Sequence, residues 1–318
     1  MLVLDAAATE RNLAMPELVA SLGEAFASPA TVPLRHVHKI EGDGVAGTSL
    51  LMPAWSADGF YGVKIINIFP ENAERGLPGL HGIYALFDAQ TGVPLAFLDA
   101  DILTAYRTAA ASALAASYLA REDASRLLVV GAGRVAGLLP AAMAAVRPVS
   151  KVSVWNRTLP GAQRMAAEFA AAGFDATAVE SLEEGVRAAD IVSCATLSNV
   201  ALVAGDWLAP GSHLDLIGSF TPAMREADGR CFQRGSVFVD TDEAPAKAGD
   251  ILSAIDEGYL TVAAIRATLD KLVTGAHRGR ERASEITVFK AVGSALEDLA
   301  AARLVYRNHV ASHRDSRS

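Results

Sequence analysis

The sequence predicts an α/β protein in which a doubly wound parallel sheet is joined to an α+β region of antiparallel strands. Three observations predict it. From Arg126 onward, short apolar runs alternate with helical stretches, as in successive strand–helix–strand units. The first of those runs breaks into the Gly-rich turn Gly131-Ala132-Gly133. Before Asp99, by contrast, apolar runs follow one another with only turn residues between them, which favours hairpins.

At 318 residues the chain is long enough for two cores, with 51% hydrophobic and 20% charged residues, an ordinary globular balance. Its net charge of −8 argues against nucleic acid as a partner, because phosphate binding needs a basic excess. Cys194 and Cys231 stand too far apart in sequence to read as a disulfide framework or a zinc site, so a reducing compartment is expected. No charged-then-apolar leader opens the chain, and the longest apolar run, 136–146, is too short to cross a bilayer. A soluble cytoplasmic protein with no membrane partner is the expectation.

Met15 to Ala27 reads as an amphipathic helix, with Pro16 in its first turn and Leu18, Val19, Leu22 and Phe26 on one face. Strands are expected at Thr31–Ile40, Thr48–Ala54, Phe60–Phe69, Gly82–Asp88 and Pro94–Asp99. Asp101 reads as the N-cap of an Ala-rich helix reaching Ala120. The parallel sheet draws its strands from Leu127–Val130, Lys151–Trp155, Ile191–Ala195, His213–Ile217 and Ser236–Val239. Glu285 to Tyr306 contains a long apolar-periodic helix, expected to pack on the N-terminal domain, and Asn308 to Ser318 reads as frayed. Pro140 falls inside the helix after the glycine turn, where it removes a hydrogen bond at a cost of about 3 kcal/mol, so a kink is expected.

The order of strand, Gly-rich turn, helix and strand from Leu127 to Trp155 suits a dinucleotide pyrophosphate. Gly131 permits the tight turn, Gly133 lets the backbone approach the phosphates, and Ala136 allows helix and strand to pack closely. Arg134 and Val135 open the helix whose N–H groups meet the anion. NAD sites usually place an acid at the end of the second strand to hold the ribose 2′-OH. Here the chain reads Asn156-Arg157-Thr158, a donor-rich cup suited to a 2′-phosphate. NADPH is therefore the expected cofactor, with NADH possible.

Lys64 stands inside the apolar run Gly62-Val63-Lys64-Ile65-Ile66-Asn67, on the face opposite Val63 and Ile65. Two readings stand: a lysine snorkelling from an edge strand, or a cation that binds a substrate carboxylate or supplies a proton. Arg107 poses the same choice between surface and ligand on its Ala-rich helix, and Arg35 is a third candidate, facing away from His36 and His38. That HxH pair has no acidic or cysteine partner at ligand spacing, so no metal is expected. The Arg278/Arg280/Arg282 run reads as a solvated loop.

Taken together, the motifs GVKIINIFPEN (62–72), LTAYRTAAASALA (103–115), VVGAGRVA (129–136), VWNRT (154–158), AGDIL (248–252) and ITVFKAVGSALEDLAAA (286–302) resemble the ornithine cyclodeaminase/μ-crystallin family. The resemblance spans nearly the whole chain in the family's order. It implies a substrate-binding and dimerisation domain over 1–118 with 296–318, a Rossmann domain over 119–295, and a homodimer. By the same resemblance Lys64 and Arg35 hold the substrate carboxylate, Arg107 lies beside substrate and cofactor, Ser219 contacts substrate, and Thr196 and Leu197 lie against the dinucleotide. Lys64 and Arg107 are the implied catalytic residues. The cyclodeaminases carry an Asp in a Gly-x-Asp-x-Pro segment where it acts on the side-chain amine. This chain reads Gly218-Ser219-Phe220-Thr221-Pro222, and a phenylalanine can neither attract an ammonium nor carry its proton. Residues 218–228 and the Trp-Asn-Arg-Thr turn look instead like the ketimine-reductase branch. The implied activity is NAD(P)H-dependent reduction of a cyclic 2-imino acid. Ornithine cyclodeamination, a linear amino-acid dehydrogenase and a non-catalytic NADPH carrier are the alternatives.

Overall fold

The computed structural model describes residues 1–42 and 45–315. These form two compact units, one of 1–107 with 294–318 and one of 108–293. The first boundary lies inside the Ala-rich helix at 107/108 rather than at its end, and the second at 293/294 rather than 295/296.

Among the described residues, the first unit holds β1 (Leu2–Leu4), α1 (Ala6–Arg11), α2 (Met15–Ala27), β2 (Ala30–Thr31), β3 (His36–Gly42), β4 (Val45–Ser56), β5 (Phe60–Ile68), β6 (Leu80–Asp88) and β7 (Pro94–Asp99). Its sheet runs β1-β7-β6-β5-β4, with β2 and β3 both pairing the far edge of β4. The pairs from β3 to β7 are antiparallel, as hairpin punctuation demands, and β1 joins β7 in parallel. Thr31 to Ile40 is not one strand, since residues 32–35 leave the sheet after Val32-Pro33. α3 (Ala100–Leu119) starts two residues earlier than expected: Asp99, not Asp101, caps it, its Oδ1 accepting from the Ile102 N–H at 2.8 Å.

The C-terminal helix, Ala295–Asp315, packs on α2 and across β4 to β6. The fraying expected from Asn308 to Ser318 is corrected as far as Asp315, to which the helix runs; 316–318 lie outside the described residues. Asn308 Nδ2 donates to Glu17 Oε2 at 3.0 Å, and the Arg307 guanidinium lies 5.2 Å over the Phe60 ring.

The second unit, among the described residues, contains β8 (Arg126–Val130), α4 (Arg134–Ala144), β9 (Lys151–Trp155), α5 (Leu159–Ala171), β10 (Asp175–Ala178), α6 (Leu182–Ala188), β11 (Ile191–Cys194), β12 (Asn199–Val203), β13 (His213–Leu216), β14 (Arg225–Ala227), α7 (Gly229–Arg234), β15 (Ser236–Val239), α8 (Ala244–Lys247), α9 (Gly249–Asp256), β16 (Ile265–Thr268), α10 (Leu269–Val273) and β17 (Thr287–Lys290). Eight strands form one sheet in the order β10-β9-β8-β11-β13-β17-β15-β16, every neighbouring pair parallel. Strand order reverses between β8 and β11, the switch point of a doubly wound fold. Short, mostly apolar strands that are buried throughout, such as β11 and all of β8 after Arg126, suit a sheet covered on both faces. β12 and β14 pair separately.

The long helix expected within 285–306 is present and starts at Ala295, and Thr287–Lys290 before it is a fully buried central strand. Pro140 lies inside a helix that is continuous from Arg134 to Ala144. One expectation is corrected here. Arg280 is not a solvated loop residue. It is half-buried and donates to the backbone carbonyls of Leu119 at 2.7 Å and Ser212 at 3.1 Å, joining three loops, and burial pushes its guanidinium down to about 10.

Candidate active site

In the first unit, antiparallel register sets a row of side chains on one face of the sheet. Leu98 pairs with Tyr84, Tyr84 with Lys64, and Lys64 with Met52. The row is apolar and buried apart from Lys64, which is 3% exposed. β5 is paired on both sides, so Lys64 is not an edge-strand lysine and cannot snorkel. Burial lowers its pKa from the ordinary lysine value, and the Asp298 carboxylate opposes that shift.

Asp298 binds both cations. Its Oδ2 lies 2.7 Å from Lys64 Nζ and its Oδ1 accepts from Arg107 Nε at 3.0 Å, while Glu297 Oε2 accepts from Arg107 at 2.6 Å. Burial alone would raise the Asp298 carboxyl, but Lys64 and Arg107 hold it below the usual carboxylate range. Lys64 Nζ also reaches Thr104 Oγ1 at 3.4 Å. The set carries two positive and two negative groups, all nearly or fully buried, so it is charge-balanced as it stands. The Tyr84 hydroxyl is buried with no hydrogen-bond partner among the described residues, and burial, with Asp298 adding to it, pushes its pKa well up.

Sequence reasoning found the two cations and missed their acids. Glu297 and Asp298 fall in the first turn of a helix, where acids are common for dipole reasons alone, so nothing in the local pattern marked them. Arg35 lies in the segment before β3, half-buried, with no carboxylate paired to it among the described residues. It lies just outside the paired register, which begins at His36–Leu51. His36 and His38 lie exposed on β3.

In the second unit the candidate cofactor residues occupy one edge. Gly131, Gly133, Arg134 and Val135 follow β8; Asn156, Arg157 and Thr158 follow β9; Thr196 and Leu197 follow β11. These are the carboxyl ends of three adjacent parallel strands at the switch point. Gly131 has φ +116°, and a Cβ there would stand 2.6 Å from the Ala195 carbonyl oxygen, so only glycine fits between the two loops. A Cβ on Gly133 would meet nothing within 4 Å, leaving open approach to the start of α4, which no side chain caps. A dinucleotide pyrophosphate fits that start.

Beyond β9, Asn156 Nδ2 donates to Thr158 Oγ1 at 3.0 Å, which Gly161 permits, since a Cβ there would lie 2.5 Å from that nitrogen. The Asn156 amide is thus used locally, and the exposed Arg157 and Thr158 are what remain for an incoming phosphate. Leu197 is 77% exposed, whereas the Thr196 N–H and hydroxyl both donate to Glu226 Oε1 at 2.7 Å. Ser219 requires a correction. It is fully buried, donates to the Met224 carbonyl at 2.6 Å and accepts from the Asp250 N–H at 2.9 Å, so it shapes its loop instead of presenting a hydroxyl to substrate. Phe220, next to it, is 48% exposed.

A family model described as the ornithine cyclodeaminase/mu-crystallin family matches residues 1–313. The chain belongs to that family. It is 38% identical over 286 residues to a Delta(1)-pyrroline-2-carboxylate reductase of Paracoccus denitrificans, covering 89% of this chain and 90% of the relative. Among solved structures, the Delta(1)-pyrroline-2-carboxylate reductase of Thermococcus litoralis in complex with NADH and L-proline matches with TM-score 0.91 and 34% identity, covering 98% of both chains. An archaeal alanine dehydrogenase dimer with bound NAD matches with TM-score 0.90 and 30% identity, covering 98% of this chain and 97% of the neighbour. The α/β fold with its Rossmann-type sheet is thus that of the family's reductases and dehydrogenases. No helix among the described residues is long and apolar enough to cross a membrane.

Proposed function

We propose that this chain reduces a cyclic 2-imino acid, Δ1-pyrroline-2-carboxylate or Δ1-piperideine-2-carboxylate, to L-proline or L-pipecolate with NADPH, NADH serving as well. The chain is an oxidoreductase acting on C=N bonds, and its cofactor is NAD(H) or its phosphorylated form. The observation that carries the reading is Lys64, an ammonium buried in an apolar row of a central strand and paired with Asp298. Burying such a group is expensive, and nothing in the packing of the sheet calls for it.

A protonated 2-imino acid carries one carboxylate and one iminium, so it is net neutral, as is the set of Lys64, Arg107, Glu297 and Asp298. Bringing the two together buries no net charge. Arg35, just before β3, and Lys64 on β5 bind the substrate carboxylate, and Arg107 holds Asp298 in place as they do so. The clamp fixes the imine carbon for attack and limits the orientations it samples. Gly131, Gly133 and the start of α4 hold the pyrophosphate, and Arg157 and Thr158 take the 2′-phosphate. When bound, the dinucleotide supplies the hydride that adds to the imine carbon. Hydride addition makes the carbon–nitrogen bond single and leaves the ring nitrogen with the proton it brought; Lys64 or a water beside it provides the second proton, which turns the amine into the product's ammonium.

Phe220 counts against ornithine cyclodeamination, because the segment offers no acid for the side-chain amine. Alanine-type dehydrogenation is the second reading, favoured by the archaeal structure described above. A homodimer is supported by the outward face of the first unit's sheet, where Trp55 is 41% and Ile83 47% exposed and Tyr61 and Phe87 stack at 5.3 Å. Purified protein given the five-membered imine, the six-membered imine, pyruvate with ammonia, and ornithine with NAD tests the reading. Consumption of reduced nucleotide with a cyclic imine, well above that with pyruvate, is expected. Ammonia release from ornithine, or activity on pyruvate alone, overturns it.

A further inference from the structure

We propose that Glu226, buried between the Thr196 loop and Gly218, is the positioning residue that holds both loops in the form that accepts the dinucleotide. The inference rests on the reading of Thr196 and Leu197 as cofactor-binding residues. Glu226 lies on β14 and is 0% exposed. One of its oxygens accepts from the Thr196 N–H and hydroxyl, the other from the Gly218 N–H, each at 2.7 Å. One side chain therefore ties together the ends of β11 and β13, neighbours in the sheet beside the switch point. The approach is close: a Cβ on Gly218 would stand 1.9 Å from the Thr196 carbonyl oxygen and 2.4 Å from Glu226 Oε1. Three donors on one carboxyl favour its ionised form, because protonation or amidation puts a hydrogen on one oxygen position that now only accepts.

The groups around Glu226 make that ionisation conditional. Asp250 on α9 is fully buried, accepts from the Glu226 and Ala227 N–H groups, and leaves its Oδ2 without a hydrogen bond among the described residues. Lys290 on β17, also fully buried, is 3.7 Å from Asp250 and donates to the Leu216 carbonyl at 3.1 Å. Asp215 on β13 and Asp240 beyond β15 also feel Lys290, and the Cys194 thiol on β11 is buried against Glu226 and Asp250. Arg225 is engaged elsewhere, by Glu257 at 2.6 Å. A single ammonium thus serves several buried carboxylates. Burial first, with Asp250 adding to it, pushes Glu226 up to about 7 against the pull of Lys290 and Thr196. The loops are tied above that pH and released below it.

The test uses the native full chain and NADH, which has no 2′-phosphate to titrate. NADH dissociation constants are measured by fluorescence from about pH 6 to about pH 8.5, for wild type and Glu226→Gln. Wild-type affinity is expected to fall on the order of tenfold as pH drops through about 7, and Glu226→Gln to show the weak acid-limit value at every pH. Wild-type-like affinity or pH dependence in Glu226→Gln overturns the proposal. Should that variant fail to fold, hydrogen exchange of the wild-type chain decides. Protection of the Thr196 and Gly218 amides, relative to the Ala195 and Ile217 amides held by Val130 and Cys194 carbonyls, must drop below about pH 7. A ratio constant with pH overturns the proposal. Absence of wild-type NADH binding at any pH overturns instead the cofactor reading on which it rests, while the exchange ratio still reports on Glu226.

Discussion

Replacing Asp298 by Asn removes the charge that Lys64 and Arg107 share while keeping the shape of the side chain. At 2.7 and 3.0 Å, each pair is worth about 6 kcal/mol of attraction at an effective dielectric of about 20. Most of that offsets desolvation, and breaking a buried pair costs about 3 to 5 kcal/mol. The Asn oxygen still accepts from Arg107 Nε, which places the variant near 3 kcal/mol. Over 318 residues melting together, that is a drop of about 4 °C in Tm. The same loss falls on the charged form of Lys64. Its pKa, already lowered by burial and supported by Asp298, drops further. A protonated Lys64 is needed to bind the substrate carboxylate, so the alkaline limb of kcat/KM moves to lower pH. Steady-state kinetics across pH and a thermal melt read both effects. A variant with wild-type Tm and a superimposable alkaline limb would refute the charge-sharing account.

Gly131→Ala places a Cβ 2.6 Å from the Ala195 carbonyl oxygen at φ +116°, so NADH affinity should fall at least tenfold in a binding titration. Arg157→Ala should raise KM for NADPH by about tenfold with little change for NADH if the exposed guanidinium takes the 2′-phosphate as proposed. Asp190 accepts from Arg121, Arg126 and two backbone N–H groups. Although burial opposes it, these partners hold its carboxyl well below the usual range. A depressed folded pKa gives stability that is present above about pH 4 and lost as pH falls through the folded value. Asp190→Asn should therefore lose about 2 kcal/mol at neutral pH, measured by urea unfolding, and the gap to wild type should narrow in acid.

How far the sequence could be read depended on whether a residue's role is local. The glycine turn, the strand Lys151–Trp155 and the helix Met15–Ala27 each carry their reason within a few residues, and each lies where periodicity and turn chemistry put it. Thr287–Lys290 was not legible because it is only four residues long, leads into a helix and includes a lysine. Its strand character comes from β13 and β15 on either side. Ala-rich Asp175–Ala178 is likewise a strand only because β9 pairs with it. At the site, Lys64 was conspicuous as a charge in an apolar run. Asp298, which pairs with it across 234 positions of sequence, looked like any first-turn acid. Ser219 and Glu226 show the converse: a polar residue in a motif segment does not declare whether it faces a ligand or the backbone beneath it.

The central claim is that the buried Lys64 set works with the dinucleotide cradle to reduce a cyclic imine. It is tested most directly by the initial rate of reduced-nucleotide oxidation with Δ1-pyrroline-2-carboxylate, for wild type and Lys64→Ala, with NADPH and NADH in parallel. The account predicts rapid oxidation by wild type, faster with NADPH, and a loss on the order of a thousandfold or more in Lys64→Ala with the fold retained by circular dichroism. No oxidation of either nucleotide by wild type, or near-normal kinetics from a folded Lys64→Ala, would contradict it.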